Sequence, residues 1–271
     1  MPFFDKLIHR YLHVPYQLHV TAFSKPKRPR GTVVLLHGIG NTAQSWQELI
    51  SLLPDDLRII GVDLLGFGKS PKPTWLTYDA TQQARALGAT LLRLGLNRRV
   101  MIVGHSLGAL VAVETAKRYR PLIRQLILCS PPFYAVNKDR FIPAQDDILK
   151  ELYRAARKHP KQLVALSPLA VKLGIANKSL TINDDNVSAY TQALGSSIIN
   201  QTALSDAGSL RVPIRIIYGS LDPVVVRGHI IKLSKSNKNV TVRRILAGHE
   251  VVGRYVKVVA DEINRLFGYR S

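Results

Sequence analysis

Cysteine is almost absent from this sequence, which has one cysteine, Cys129, in 271 residues. A single thiol cannot form an intrachain disulfide, and it cannot supply the several thiolates of a cysteine-rich metal site. Because Cys129 ends the apolar run Leu126-Ile127-Leu128, we expect its thiol to be buried. These features favour a reducing compartment, and we predict a cytoplasmic location.

Long apolar runs are also absent. No stretch of 18 consecutive apolar residues occurs, so the sequence lacks the pattern of a membrane-spanning helix. The first residues lack a basic start, a long apolar stretch and a small-residue cleavage site. We therefore expect neither a membrane span nor export by the Sec route.

Acidic residues are few, 18 against 38 basic residues, which gives a net charge of +20. Residues 131–210 hold nine of the basic and seven of the acidic residues, so most of the excess lies outside this segment. We interpret the excess as a solvated basic surface, and we expect no nucleic-acid partner. The sequence leaves the oligomeric state open.

The N-terminal residues combine apolar and basic side chains at helical spacing. The apolar positions are Phe3, Phe4, Leu7, Ile8, Tyr11 and Leu12, and the positions between them include Lys6, His9, Arg10 and His13. This pattern predicts an amphipathic helix that packs its apolar stripe on its own domain. Peripheral contact with an anionic membrane is the alternative.

Short apolar runs alternate with helical patterns along most of the chain. The strand-like runs are Gln17–Ala22, Thr32–Leu36, Arg58–Val62, Val100–Val103, Gln125–Leu128, Ile214–Tyr218 and Val240–Ile245. The helical patterns are Gln44–Leu53, Asp79–Leu94, Leu107–Tyr119, His229–Lys235 and Val252–Phe267. Continuous apolar strands between helices predict an α/β fold with a mainly parallel sheet covered on both faces.

The alternation stops after Pro131-Pro132, and about eighty residues follow with helical but no clear strand patterns. We predict a helical cap over residues 131–206 and an α/β core formed by residues 1–130 and 207–271. An insertion at this point would lie over the carboxyl ends of the strands, where open α/β sheets bind ligands.

A glycine-flanked serine follows the run Val100–Val103 and precedes a helical pattern. Its motif is G-x-S-x-G, in Gly104-His105-Ser106-Leu107-Gly108. At a strand-to-helix turn this motif forms a nucleophile elbow, in which glycines allow close backbone packing and the serine hydroxyl projects above the sheet. Ser106 is therefore the candidate nucleophile.

A serine nucleophile needs a general base and an acid that orients it. Asp222 follows the run Ile214–Tyr218, and His249 follows the run Val240–Ile245, so the chain order is Ser, Asp, His. In isolation Asp222 is equally a turn residue before Pro223. Asp63 and Asp139 are rival acids.

A glycine-containing loop, His37-Gly38-Ile39-Gly40-Asn41, follows the strand Thr32–Leu36. Its glycines allow main-chain amides to approach a developing oxyanion, so the amides of Ile39 and Leu107 are candidate oxyanion-hole donors. We assign His37 a structural role because it precedes the turn.

With these motifs, and with the segment Asp63–Ser70, the chain resembles the α/β-hydrolase superfamily, specifically its cap-bearing, carboxylesterase-like serine hydrolases. The resemblance extends from about residue 14 to residue 267. It implies an α/β-hydrolase sheet with a helical cap inserted after the sixth strand, and it gives Asp63 and Ser70 a structural role.

The resemblance also narrows the chemistry. Haloalkane dehalogenases and related epoxide hydrolases have an aspartate where this chain has Ser106, which disfavours those activities. The expected function is hydrolysis of a small carboxylic ester through an acyl-enzyme, without metal or organic cofactor. Carbon–carbon bond hydrolysis or acyl transfer with the same residues is an alternative, as is a non-catalytic protein that senses a ligand or is recruited to a surface.

Overall fold

The computed structural model describes residues 2–97, 99–134, 153–172, 178 and 180–269. They form a seven-stranded sheet with the order β1-β3-β2-β4-β5-β6-β7. The strands are β1 (Val20–Ser24), β2 (Gly31–Leu36), β3 (Leu57–Val62), β4 (Val100–His105), β5 (Ile123–Cys129), β6 (Ile214–Gly219) and β7 (Val240–Ile245). β1 is antiparallel to β3, and every other neighbouring pair is parallel. The predicted fold class is confirmed.

The central strands contain runs of consecutive apolar residues because both faces of the sheet are buried. Val34 and Leu36 of β2 belong to one core cluster, whereas Val33 and Leu35 belong to the other. Successive side chains of a strand point to opposite faces, so one run of valines and leucines supplies both cores.

Helices cover both faces of the sheet. In chain order they are α1 (Pro2–Lys6), α2 (Gln47–Ile50), α3 (Ala80–Arg93), α4 (Leu107–Arg118), α5 (Pro160–Lys172), α6 (Val187–Ala193), α7 (Ala203–Ser209), α8 (Arg227–Ser236) and α9 (Arg254–Leu266). The buried residues of α3, α4 and α8 join the first cluster, and those of α2 and α9 join the second. Among the described residues, no helix combines the length and apolar character that crossing a bilayer requires.

Between β5 and β6 the described residues form helices joined by turns and loops, and none of them forms a strand. This segment contains a helix at 153–158, the helices α5, α6 and α7, and a π-helical turn at Leu194–Ile199. It follows the fifth strand of the sheet, so the expected position after a sixth strand is wrong. The described residues before β1 form a helix and a loop and contain no strand, so β5 is the fifth described strand along the chain.

The N-terminal residues form a continuous helix, with α1 extended by a π-helical turn at Leu7–Tyr11. The expectation that its apolar stripe packs on the domain is wrong for the described side chains, because none of the residues from Leu7 to Tyr11 is buried. The helix is held by polar contacts instead. The Tyr16 hydroxyl donates to Oδ2 of Asp5 at 2.7 Å, and the His9 ring stacks on the Tyr16 ring at 3.7 Å.

Candidate active site

Ser106 lies at the turn between β4 and α4 with φ 51° and ψ −115°. A positive φ is costly for a residue with a Cβ atom, and such strain is typical of a nucleophile elbow. A Cβ atom at Gly104 would lie 2.4 Å from the carbonyl oxygen of Gly108, and one at Gly108 would lie 2.4 Å from that of Leu36. The two glycines of the motif are therefore required by close backbone contacts.

The elbow is anchored to the neighbouring strand, because the amide of Ser106 donates to the carbonyl of Cys129 at 3.0 Å. Cys129 is fully buried, as the sequence predicts, and burial raises the pKa of its thiol. Leu107 is the first residue of α4. Its amide belongs to the group of helix N-terminal amides that have no acceptor within their own helix.

The loop that carries Ile39 contacts the elbow. A Cβ atom at Gly38 would lie 2.9 Å from Nδ1 of His105 and 3.4 Å from Cβ of Ser106. This proximity brings the loop to the same side of the nucleophile turn as the start of α4. The oxyanion role of the Ile39 and Leu107 amides stays a prediction.

The His37 ring stabilises this loop through hydrogen bonds at both of its nitrogens. Its Nδ1 donates to the carbonyl of Gly38 at 2.7 Å, and its Nε2 accepts from the amide of Leu64 at 2.9 Å. Burial lowers the pKa of His37 to about 4, so the ring is neutral and holds a single tautomer. These contacts agree with the structural role expected for His37.

Asp222 and His249 are brought together by the loops that follow β6 and β7. Nδ1 of His249 lies 2.8 Å from Oδ2 of Asp222, and the other carboxylate oxygen accepts the amide of Val224 at 2.8 Å. The two loops pack tightly, since a Cβ atom at Gly219 would lie 2.2 Å from the carbonyl oxygen of Gly248. With Nδ1–H donating to the carboxylate, Nε2 of His249 is the acceptor.

Asp222 and His249 each shift the pKa of the other. Burial would raise the pKa of Asp222, but the His249 hydrogen bond and charge outweigh burial and hold that pKa below its ordinary value. Burial would lower the pKa of His249, but the hydrogen bond and charge of Asp222 outweigh it and raise that pKa above 6.5. The carboxylate therefore stabilises a positively charged imidazole, as a general base requires.

His105 connects the elbow to the loop that carries His249. Its Nε2 donates to the carbonyl of His249 at 2.9 Å, and the two rings lie 4.9 Å apart. Burial lowers the pKa of His105, and a neutral ring suits its position beside a second imidazole. Because His105 immediately precedes Ser106, this contact ties the serine turn to the histidine loop.

Ser130 supports Asp222 and was not identified from the sequence. It follows β5 with φ 48°, and its hydroxyl helps to hold the pKa of Asp222 below its ordinary value. Its hydroxyl also lies 3.3 Å from that of Tyr255, which donates to the carbonyl of Ile217. The available signal was its place at the carboxyl end of a central strand, next to the proline pair.

The carboxylate of the rival acid Asp63 binds main-chain amides. Its two carboxylate oxygens accept the amides of Ala43 at 2.8 Å and Lys69 at 2.9 Å. The Ser70 hydroxyl donates to the Asp63 carbonyl, so both residues organise the turn after β3. The other rival, Asp139, lies outside the described residues.

Residues of the insertion lie against the loop of Ile39. The amide of Thr181 donates to the carbonyl of Gly40 at 2.9 Å, and a Cβ atom at Gly40 would lie 3.1 Å from the ring of Tyr190. Burial and the charge of Glu250 raise the pKa of Tyr190 to about 12, which keeps its hydroxyl protonated. Sequence patterns did not single out Tyr190, because a tyrosine within a helical pattern is typical of a core residue.

No cluster of three or more histidine, cysteine, aspartate or glutamate side chains suited to a metal ion occurs among the described residues.

Comparison with known proteins identifies the family and the fold of the chain. Residues 31–171, just over half of the chain, match the family model described as alpha/beta hydrolase fold. The enol-lactonase from Burkholderia xenovorans LB400 superposes with a TM-score of 0.75 at 17% identity, over 92% of this chain and 95% of that chain. An esterase from Exiguobacterium antarcticum superposes with a TM-score of 0.73 at 18% identity, over 92% of this chain and 95% of that chain.

Two Arabidopsis thaliana proteins are similar in sequence. "Probable lysophospholipase BODYGUARD 3" is 34% identical over 132 residues, which cover 45% of this chain and 26% of the relative. "Probable lysophospholipase BODYGUARD 2" is 32% identical over 146 residues, which cover 51% of this chain and 30% of the relative. The chain thus spans less than a third of the length of either relative. The family match and the shared sheet architecture establish that the chain belongs to the α/β-hydrolase fold family.

Proposed function

We propose that the protein is a serine hydrolase of carboxylic esters, with Ser106 as nucleophile, His249 as general base and Asp222 as the acid that orients the base. The observation that carries this proposal is the 2.8 Å contact between Asp222 and His249, on loops joined to the elbow of Ser106 through His105. The similar structures and relatives include an esterase, an enol-lactonase and a probable lysophospholipase. Those names favour ester chemistry.

The proposed reaction has two acyl-transfer steps. Nε2 of His249 accepts the proton of the Ser106 hydroxyl while Oγ attacks the acyl carbonyl carbon. The tetrahedral intermediate collapses, the ester C–O bond breaks, and His249 gives the proton to the leaving alcohol. Water then attacks the acyl-enzyme with His249 as base, which releases the carboxylic acid and restores Ser106.

The charge that develops on the carbonyl oxygen needs donors on one side of Ser106. We assign these donors to the amides of Leu107, at the start of α4, and of Ile39, in the loop next to the elbow. Each preorganised donor accelerates such a reaction by about 10²–10³. The scheme requires no metal or organic cofactor.

We also propose that the segment 131–206 is the cap that selects the substrate. The support for this proposal is that Thr181 and Tyr190, in the described part of the segment, contact the loop that carries Ile39. Tyr190 contributes a neutral phenol there, and nearby Leu180 is apolar. This mixed lining suits a small ester with an apolar acyl group.

The first test is labelling with a fluorophosphonate probe, which reacts with an activated serine and mimics the tetrahedral intermediate. We expect wild-type protein to label at Ser106, and a matched Ser51→Ala variant to label equally, because Ser51 is an exposed turn residue. The same samples are then assayed on p-nitrophenyl esters of increasing acyl length. Labelling elsewhere, or tight retention of an unmodified ligand without labelling, would contradict the hydrolase proposal and favour a ligand sensor.

Product analysis distinguishes the bond that is broken. An ester hydrolase releases an alcohol and an acid, whereas an acyltransferase gives a new ester when a second alcohol is supplied. A carbon–carbon hydrolase cleaves a vinylogous diketo acid and leaves simple esters intact. We expect the first pattern.

The pH dependence follows from the raised pKa of His249. Only the neutral imidazole accepts the serine proton, so activity falls as pH decreases through this pKa. Because the pKa is raised, kcat/KM should reach half its plateau above pH 6.5, the ordinary value for histidine. The measurement is kcat/KM on a short p-nitrophenyl ester between pH 5 and pH 9, corrected for unfolding. An acid limb centred below pH 6.5 would show that Asp222 does not stabilise the imidazolium.

A further inference from the structure

The helix before β1 turns its apolar side chains to solvent. We call residues 4–14 the amphipathic segment. Tyr11 is 66% exposed, Leu12 is 64% exposed and Val14 is 46% exposed, and Leu7 and Ile8 are also exposed. Side chains of this size are rarely presented together on a free surface, so their grouping indicates a surface with a partner.

The attachment of this segment keeps that apolar surface outward. Its contacts with the rest of the domain include the Asp5 carboxylate, which accepts from Tyr16, and the His9 ring, which stacks on Tyr16. Nδ1 of His9 also bonds to the carbonyl of Val14 at 2.7 Å. Because polar side chains fix the helix, its leucines and tyrosine remain available for another partner.

The charge around the apolar side chains is positive. Lys6, Arg10 and His13 are exposed in the same segment. Asp5 is the one carboxylate of residues 4–14, and it is already bonded to Tyr16. The whole chain carries a net charge of +20, and most of this excess lies outside the segment. A partner that fits must therefore combine an apolar interior with a negative surface.

A crevice at the base of the segment extends the cationic surface. It has a volume of about 240 Å³ and is lined by residues that include Arg10, His13, Trp75 and Arg85. Arg85 is oriented by one donation from its Nη2 to the carbonyl of His13 at 2.9 Å. Guanidinium groups and an indole ring in one crevice suit a phosphate at a bilayer surface, where tryptophan is enriched.

The crevice lies on the side of the domain where the reaction is proposed. Its lining includes Leu65, three residues after the carboxyl end of β3. The loops of Ser106, Asp222 and His249 also follow the carboxyl ends of parallel strands. The amphipathic segment and the reaction centre therefore lie at the same end of the sheet, where the parallel strands have their carboxyl ends.

We propose that the amphipathic segment and its crevice bind the surface of an anionic lipid bilayer. Tyr11, Leu12 and Val14 insert into the boundary between headgroups and acyl chains, while Arg10, His13 and Arg85 contact lipid phosphates. A bilayer supplies both required features, an apolar interior and a negative surface. Binding of the segment to a bilayer would also hold the end of the sheet that carries Ser106 near the membrane.

The test uses the chain of 271 residues and flotation with large unilamellar vesicles. One set is pure phosphatidylcholine, and the other contains 30 mol% phosphatidylglycerol. We expect binding to the anionic vesicles, little binding to the neutral ones, and weaker binding as salt is raised. Tyr11→Ser combined with Leu12→Ser should weaken partition by at least about tenfold, since two apolar side chains no longer insert. Arg10→Glu should weaken it by a similar factor.

Matched controls come from distant positions of the same kind. Leu52→Ser removes a half-exposed leucine after α2, which lies on the opposite face of the sheet from α3. Arg244→Glu reverses a charge on β7, a strand at the edge of the sheet. Both should bind vesicles like wild type. Ser106→Ala should also bind normally, so a failure of the hydrolase proposal would leave this result unchanged. Circular dichroism melting checks that each variant is folded.

Three results would overturn the proposal. The first is no flotation of wild type with anionic vesicles at low salt. The second is equal loss of binding in the control and test variants, which would indicate a general effect of charge. The third is a dimer in analytical ultracentrifugation without lipid that Tyr11→Ser with Leu12→Ser abolishes, because a second copy would then cover the apolar surface.

Discussion

Replacing Ser106 with alanine should reduce kcat for a short-chain p-nitrophenyl ester by a factor on the order of 10⁶. In the proposed mechanism the variant lacks the oxygen that would form the acyl-enzyme, and His249 has no oriented proton to accept. Substrate binding and the proposed oxyanion amides would remain, and such effects alone give about 10³–10⁴ over the reaction in water. Turnover is measured with enzyme at high concentration, so that a loss of this size is quantifiable.

The loss should come without unfolding. Alanine keeps the Cβ atom of Ser106 and occupies the same positive φ, so the strain of the elbow is nearly unchanged. We expect thermal unfolding within a few degrees of wild type, and Ser51→Ala serves as a serine-to-alanine control with full activity. Near-wild-type turnover by a folded Ser106→Ala variant would exclude Ser106 as the nucleophile.

Much of the fold could be predicted because local sequence and global structure agree in the sheet. The runs that became β2, β4 and β5 each contain four consecutive apolar residues, a pattern typical of strands that are buried on both faces. The elbow could be predicted for a related reason. Gly104 and Gly108 have no room for a Cβ atom, so only glycine fits at these positions, and the two glycines are visible in the sequence.

Features that depend on distant packing could not be predicted. Ser130 influences the pKa of Asp222 because β5 and β6 are neighbours in the sheet, and single-sequence patterns do not reveal that pairing. Tyr190 reaches the loop of Ile39 through the fold of the insertion.

The N-terminal helix shows the limit of hydrophobic periodicity. The spacing of apolar residues predicted a helix with an apolar stripe, and a helix is present. Periodicity does not say what covers the stripe. Asp5 and His9 fix the helix to Tyr16, and this arrangement turns Tyr11 and Leu12 outward, against the expectation that they pack on the domain.

Replacing Asp222 with asparagine should reduce kcat by a factor on the order of 10⁴ with little change in KM, as expected for the acid of a serine–histidine pair. The Asp222 side chain is fully buried and accepts from Nδ1 of His249 at 2.8 Å. An asparagine amide can donate to Nδ1 instead, which places the imidazole proton on Nε2, where it cannot accept the serine proton. Loss of the negative charge also lowers the pKa of His249.

The two rival aspartates provide the matched controls. Asp63→Asn removes one acceptor of the amides of Ala43 and Lys69, so it should lower the melting temperature while kcat per folded enzyme stays within a few-fold of wild type. Asp139→Asn should likewise retain turnover. The measurements are kcat, KM and thermal unfolding for all three variants. If turnover collapsed in Asp63→Asn or Asp139→Asn and survived in Asp222→Asn, the acid that orients His249 would have to be reassigned.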